Sequence, residues 1–300
     1  MSRSQDSDML APVVTIGIPF FNPGSYIEDA IRSVFAQTYT NWELILIDDG
    51  SQDGSLERVR SIVDPRVRVI SDGKNLGLVD RLNQIAQLAS GQFIARMDAD
   101  DLMHPERIAK QLKLLQTHPE LDVVDTGAYI LDMKGNPAGL LGLKPGLPTP
   151  LKLLKRGEIL HPSVLARKKW FVENPYDPVY PRAEDRELFA RTYYTSNFAH
   201  IPEPLYFYRF AGNVRLKPYL SSYSSERKVL LRYGPDMVGW PWTFALYARS
   251  LVKSGILIGL SWFGLEQNVT RRSYESLDEQ HQNEAVIVLE RIRKQHVPGW

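Results

Sequence analysis

The chain has 300 residues, enough for two domains of about 150 residues or one larger α/β domain. Its 36 Lys and Arg balance 35 Asp and Glu, and a net charge of +1 argues against a general nucleic-acid binder, which needs a basic excess. At 43% hydrophobic and 24% charged it is globular rather than disordered, and the lack of any cysteine excludes disulfides, cysteine-ligated zinc, iron–sulfur clusters and a thiol nucleophile and fits a reducing cytosol.

Residues 1–10 are polar, lack a signal-peptide core and are expected to form a disordered tail. Val13–Ile18 is an apolar run ending at Pro19 and predicts a buried strand. Residues 25–36 carry Ile27, Ala30, Ile31, Val34 and Phe35 at helical spacing. Leu44–Ile47 predicts a second strand, 53–62 a helix, Val67–Ile70 a third strand and 77–89 a helix. Phe93–Met97 predicts a fourth strand, and Pro105 opens a helix to about Thr117. Beyond 120 the pattern loosens: a strand starting at Val123, a turn at Lys134–Asn136, a loop over 142–150, a helix over 184–194 and a strand over Tyr206–Arg209. Residues 216–300 are helical in pattern and carry a net charge of +3, and no internal repeat is found.

Four alternations of strand and helix imply a mostly parallel sheet with helices on both faces. Such sheets bind ligands at the carboxyl ends of their strands. Here those ends read Pro19–Asn22, Asp48–Ser51, Ser71–Asn75 and Asp98–Asp101, so polar residues converge on one crevice.

Asp98 and Asp100 stand two apart directly after an apolar strand, and paired carboxylates can hold a hard divalent cation. The pattern alone is weak, since 19 aspartates give about one chance Asp-x-Asp, such as Asp6-Ser7-Asp8. The plain alternative is a turn whose carboxylates cap the next helix. Asp49 can accept from a base edge or a ribose hydroxyl, or simply serve an Asp-Gly turn. Phe20 and Phe21 can flank a base or fill the core. Asp185 lies outside the alternating region, where an acidic residue is ordinarily part of a solvated face.

The order of short motifs adds to this. Ile18-Pro19-Phe20-Phe21-Asn22, Ser33–Tyr39, Asp48–Asp53, Asn75-Leu76-Gly77, Ala89-Ser90-Gly91, Asp98–Asp101 with Pro105, His161–Val164, Glu184-Asp185 and Tyr208-Arg209 resemble the family 2 inverting glycosyltransferases of GT-A fold. The resemblance covers about residues 12–215. It implies a GT-A domain over 11–215, with a nucleotide-binding half to about 120 and an acceptor half over 121–215, followed by a helical C-terminal region over 216–300. It implies Asp49 at the base of a nucleotide-sugar donor, a UDP-sugar by default, with Pro19 and Phe21 beside it. Asp98 falls near the ribose, Asp100 on Mg²⁺ or Mn²⁺ at the diphosphate, and Asp185 acts as general base. Lys74, Asn75 and Arg81 flank the nucleotide. His161 lies near donor phosphates or acceptor, or is a packed, hydrogen-bonded histidine. The chain departs from many relatives at Phe21, where they carry Tyr: stacking survives but a phenol hydrogen bond does not.

The chemistry suits these groups. A leaving nucleoside diphosphate gains charge that a divalent cation stabilises. An acceptor hydroxyl is a poor nucleophile until a carboxylate takes its proton, an effect worth about 10²–10⁴-fold. The implied function is transfer of a sugar to a saccharide or lipid-linked saccharide acceptor in cell-surface polysaccharide synthesis. Two other readings stand beside it. A sugar nucleotidyltransferase would show a Gly-rich loop with Arg after the first strand, where this chain has Pro19–Gly24; the other is a non-catalytic nucleotide-sugar-binding scaffold. A dehydrogenase is disfavoured, because no G-x-G-x-x-G follows a strand.

Residues 240–265 are apolar and aromatic, with Arg249 and Lys253 four apart, tryptophans at both ends and Arg271-Arg272 following. No run of 18 apolar residues occurs, and those two cations argue against a span. The pattern suits a segment over 240–272 lying in a membrane interface, or an amphipathic helical pair packed on the catalytic domain or another subunit. A cytoplasmic location, at the inner face of the plasma membrane if the segment binds lipid, is the expectation; a homo-oligomer stays open. Ser276 and Glu279 match a capping box opening a helix to about Gln295.

Overall fold

The computed structural model describes residues 14–210, 216–262 and 274–300. The expected tail over 1–10 lies outside the described residues, as do Val13, Phe263, Arg271 and Arg272. The first four strands are β1 (Val14–Phe20), β2 (Trp42–Asp48), β3 (Val67–Ser71) and β4 (Phe93–Arg96). Helices α1 (Tyr26–Phe35), α2 (Ser55–Arg60) and α3 (Leu78–Leu88) connect them. All neighbouring pairs in β3-β2-β1-β4 run parallel, so their carboxyl ends share one edge. β1, β2 and β4 are buried throughout, which is why they read as unbroken apolar runs.

The second half of the sheet is mixed. The order continues β8 (Leu165–Arg167), β6 (Val123–Leu131), β9 (Phe198–Arg209) and β5 (Leu102–Met103), with β7 (Pro137–Leu141) paired to β6. β8 runs antiparallel to both β4 and β6, so β6 ends at the same edge as β4. β9 runs parallel to β6 and brings Arg209 to that edge too. Helices α4 (Arg107–Thr117), α5 (Pro150–Arg156), α6 (Lys168–Glu173) and α7 (Glu184–Thr192) complete the layers.

One face of the sheet packs Ile16 and Ile18 on Ile31, Val34, Ile108 and Leu112. The other packs Ile47 and Ile94 on Leu82, Ile85, Trp170 and Phe189. Gly17 is the close approach between sheet and α3, since a Cβ there would lie 2.5 Å from the Ile85 side chain.

After the fold comes α8 (Leu216–Ser261), broken at Gly239, where φ is +78° between Pro235 and Pro241. Val229, Leu230 and Leu246 of α8 pack on Leu154 of α5 and Ala190 of α7. By length and composition α8 is able to cross a membrane, and 22% of its most apolar window is buried, less than in the core helix of a soluble protein. α9 (Glu279–Arg293) is capped by Asp278, whose side chain accepts from the His281 amide at 2.8 Å, and not by Ser276 as the capping-box pattern predicts. Asp and Ser cap about equally well, and Asp278 takes the role because it directly precedes the first helical residue, Glu279. Ala285, Leu289 and Ile292 of α9 share a core with Tyr129, Leu131 and Phe207, so the C-terminal region is built into the sheet domain.

Candidate active site

The loops at the carboxyl edge are laced together. The Asn22 amide donates to Ser51 Oγ at 3.0 Å, and the Gln52 amide returns to Asn22 Oδ1 at 2.7 Å. Asp48 ties β2 to β3, accepting from the Ser51 amide at 2.8 Å and the Ser71 hydroxyl at 2.8 Å. Pro19 is buried at the end of β1, and Phe21 just past the strand is 53% exposed. Phe20, by contrast, is a core residue.

Asp49 is nearly buried. Its Oδ1 accepts from the Leu76 amide at 2.8 Å and Arg81 Nε at 2.9 Å, and its Oδ2 from the Gly77 amide at 3.0 Å. Asn75 Nδ2 donates to the Asp49 carbonyl at 3.0 Å. Asp49 therefore orders the 72–77 loop, on which the Lys74 and Asn75 side chains stand exposed. Arg81 departs from the expectation that it flanks a nucleotide. It is fully buried, and its guanidinium also reaches Asp72 Oδ1 at 2.6 Å, the Lys74 carbonyl at 2.7 Å and Gln84 at 2.9 Å. With its donors committed inside the protein, Arg81 positions the loop from behind. The Arg81 hydrogen bond, helped by the Lys74 amide, holds Asp72 down at about 2.

Beyond β4, Asp98, Asp100 and Asp101 each bring a carboxylate oxygen within 4.8 Å of the others. Arg96 Nη2 pairs with Asp98 Oδ1 at 2.7 Å. Burial opposes charge on Arg96, but Asp98 together with Tyr206, Tyr176 and Glu184 outweighs it and keeps the guanidinium firmly protonated. Burial, then the charge of Asp98, pushes Asp100 up to about 6. Burial, then Asp100 and Asp98, raises Asp101 well above the carboxylate range. Arg209 braces the turn: its amide donates to Asp101 Oδ1 at 2.6 Å and its Nε to the Asp100 carbonyl at 2.9 Å. Three hard oxygen donors that repel one another are a donor set suited to Mg²⁺ or Mn²⁺.

Asp185 sits in the first turn of α7, half-buried, with Oδ1 taking the Arg186 amide at 2.8 Å. Its neighbour Glu184 is buried, and burial followed by the Asp185 charge lifts it to about 7, with Arg96 and Asp98 also acting on it. The charges of Arg96, Glu184, Asp185 and Asp98 all reach the buried Tyr176 hydroxyl. The start of α7 and the end of β4 therefore both lie within electrostatic reach of Tyr176. His161 is buried there with its Nε2 2.7 Å from that hydroxyl and its ring against Tyr176 and Phe189. Burial, then Arg96, keeps it neutral. Of the readings for His161, the packed and hydrogen-bonded one describes where it sits. Arg96, Tyr176 and Glu184 were not singled out from the sequence; only the Glu184-Asp185 pairing pointed to one of them.

A mixed sheet, rather than the mostly parallel one expected, whose parallel β3-β2-β1-β4 half gathers Asp49 and an aspartate cluster at its carboxyl edge, with Asp185 on α7, is the arrangement of a GT-A glycosyltransferase. The comparisons agree. The family model "Glycosyl transferase family 2" matches residues 15–162. An uncharacterised glycosyltransferase of Haemophilus influenzae is 30% identical over 236 residues, covering 74% of this chain and 72% of that protein. An uncharacterised glycosyltransferase of Methanocaldococcus jannaschii is 27% identical, over 61% of this chain and 66% of that one. The chain spans only 56% of a further relative, EpsE of Bacillus subtilis. Among solved structures, S. aureus TarS in complex with UDP-GlcNAc superposes with a TM-score of 0.62 at 17% identity, covering 79% of this chain and 71% of that one. The mannosyltransferase PcManGT of Pyrobaculum calidifontis, with GDP-Man and Mn²⁺, gives 0.56 at 16% identity, over 95% and 86%. The chain belongs to glycosyltransferase family 2, and is a glycosyltransferase.

Proposed function

We propose that this enzyme is inverting and metal-dependent, and moves a sugar from a nucleoside diphosphate sugar, UDP first, to a hydroxyl of a saccharide or lipid-linked saccharide in cell-surface polysaccharide synthesis. The observation that carries the reading is the cluster of Asp98, Asp100 and Asp101 at the sheet edge, with Asp185 at the start of α7 within electrostatic reach of the same buried Tyr176. Neighbouring folds solved in complex with UDP-GlcNAc and with GDP-Man and Mn²⁺ support the donor class and the ion.

In this reading Phe21 and the 72–77 loop flank the base, and Asp49 sets the shape of that loop. Asp100 and Asp101 would hold Mg²⁺ or Mn²⁺, with Asp98 between them and Arg96. When bound, the cation stabilises charge on the departing diphosphate. Asp185 takes the acceptor proton as the hydroxyl attacks from the side opposite the leaving group, so the anomeric centre inverts. Glu184, lifted to about 7 by burial and then by the Asp185 charge, is about half protonated at neutral pH.

A panel of nucleotide sugars with Mn²⁺ tests this, comparing wild type with Asp185→Asn and Asp100→Asn. One donor should be turned over. Asp185→Asn should lose about 10²–10⁴-fold in kcat while still binding donor, and Asp100→Asn should lose donor affinity with Mn²⁺. Full turnover by Asp185→Asn would remove it as the base. No donor binding by wild type, even with membrane extract supplying acceptors, would overturn the donor assignment.

A further inference from the structure

The second half of α8 is built inside out. Thr243, Leu246, Ser250, Ser254 and Leu257 form its buried stripe, and three of these five carry hydroxyls. Every exposed residue between 240 and 262 is apolar or glycine. Trp242, Phe244, Leu251, Val252 and Ile256 are all about half exposed or more, and Trp262 is 81% exposed. A helix packed on a water-soluble domain shows the opposite pattern. A contiguous apolar face of this extent marks an interaction surface.

Its surroundings say what covers it. Between 216 and 262 there are six basic residues and two acidic ones, and α5 beside it adds Lys152, Lys155 and Arg156 with no acid. Of the two acids, Glu226 is already paired to Arg186 at 2.6 Å. Tryptophans stand at both ends of the face, the preferred position at a headgroup boundary. Apolar outside, aromatic at its limits and basic at its flanks, the face complements an anionic lipid surface. From 240 to 262 the helix is roughly 33 Å long, enough to cross a bilayer core of about 30 Å. Its attachments argue for lying flat instead. Arg227 donates to Ser254 Oγ at 3.0 Å, Lys253 sits over the Tyr223 ring, and Arg249 donates to the Lys155 carbonyl at 3.3 Å. A spanning pose would drag these cations into hydrocarbon.

We propose that the outward face of α8 between Trp240 and Trp262 lies in the interface of an anionic bilayer. The Arg186–Glu226 pair joins the start of α7 to the first half of α8, ahead of the break at Gly239.

The test floats the full-length protein through a density gradient with phosphatidylcholine vesicles, and with vesicles in which phosphatidylglycerol replaces part of that lipid. The chain should float with the anionic vesicles. The combined variant Trp242→Ser, Val252→Ser, Ile256→Ser alters only exposed positions. It should float at least about tenfold less and keep the wild-type melting temperature and circular dichroism. Protein that stays in the aqueous fraction overturns the proposal, as does flotation that the variant retains or that ignores the anionic lipid. Sedimentation without lipid adds one outcome: a dimer dissolved by the same substitutions would give the face to a second copy instead. Flotation needs neither donor nor acceptor, so it fails or succeeds independently of the proposed function.

Discussion

Glu184 occupies a place where a carboxylate resists ionisation. It is buried, Asp185 is its sequence neighbour, and its titration is lifted to about 7. An acid whose folded value lies above its unfolded 4.5 binds extra protons in the native state. Its contribution to stability is complete below about 4.5 and is lost as pH rises through 7. Glu184→Gln should flatten that decline, which we put on the order of 1–3 kcal/mol. Urea titrations at several pH values check it; parallel wild-type and variant curves would place the pH dependence elsewhere. At this scale the sequence was informative where a side chain follows an unmistakable strand. Asp98 and Asp100 stand out because the apolar run before them ends abruptly. Arg81 and His161 carry no such signal, because burial and commitment to internal partners arise only when distant segments meet.

The 72–77 loop shows how one helix residue sets the form of an element. Arg81 reaches back from α3 to Asp72, the Lys74 carbonyl and Asp49 at once, a fork that a single ammonium cannot reproduce. Gly50 closes against the same loop: its φ is +83°, and a Cβ would meet the Lys74 carbonyl at 3.3 Å. Arg81→Lys should lower stability by about 2–4 kcal/mol and raise the donor KM by roughly tenfold with kcat little changed. Melting curves and donor saturation kinetics separate the two effects. An unchanged KM would detach the loop from the donor. The four early βα units were legible because each strand is a continuous apolar run closed by turn residues. β5 and β8 were not, because two- and three-residue strands are defined by the partner they pair with. β9 was read only from Tyr206 because Pro202 and Pro204 interrupt its pattern; the sheet absorbs them where the β6–β9 register shifts near Gly127.

Across the whole molecule the chain returns to where it began. After α9, Val297 enters the core shared by β1, α1 and α4, and Val63 donates its amide to the Pro298 carbonyl at 2.9 Å. Trp300 donates to the Arg58 carbonyl at 3.1 Å and lies 4.4 Å beneath its guanidinium. No helical periodicity marks this segment, so the sequence predicted the helix before it and not the clasp after it. The contact falls between α2 and the start of β3, at the edge opposite the carboxyl ends that gather the aspartates. Stability and catalysis should therefore separate here. Deleting residues 297–300 removes a buried Val and a partly buried Trp with its cation–π partner, together about 2–4 kcal/mol. For a chain of this size that corresponds to a fall in Tm of roughly 5 °C. Donor binding measured well below that transition should match wild type, because the clasp contacts Arg58, Val63 and the core behind β1 rather than the described residues of the carboxyl edge. A variant that melts like wild type would make the clasp energetically idle. One that loses donor binding while still folded would mean that the two edges of the sheet are coupled through β2 and β3.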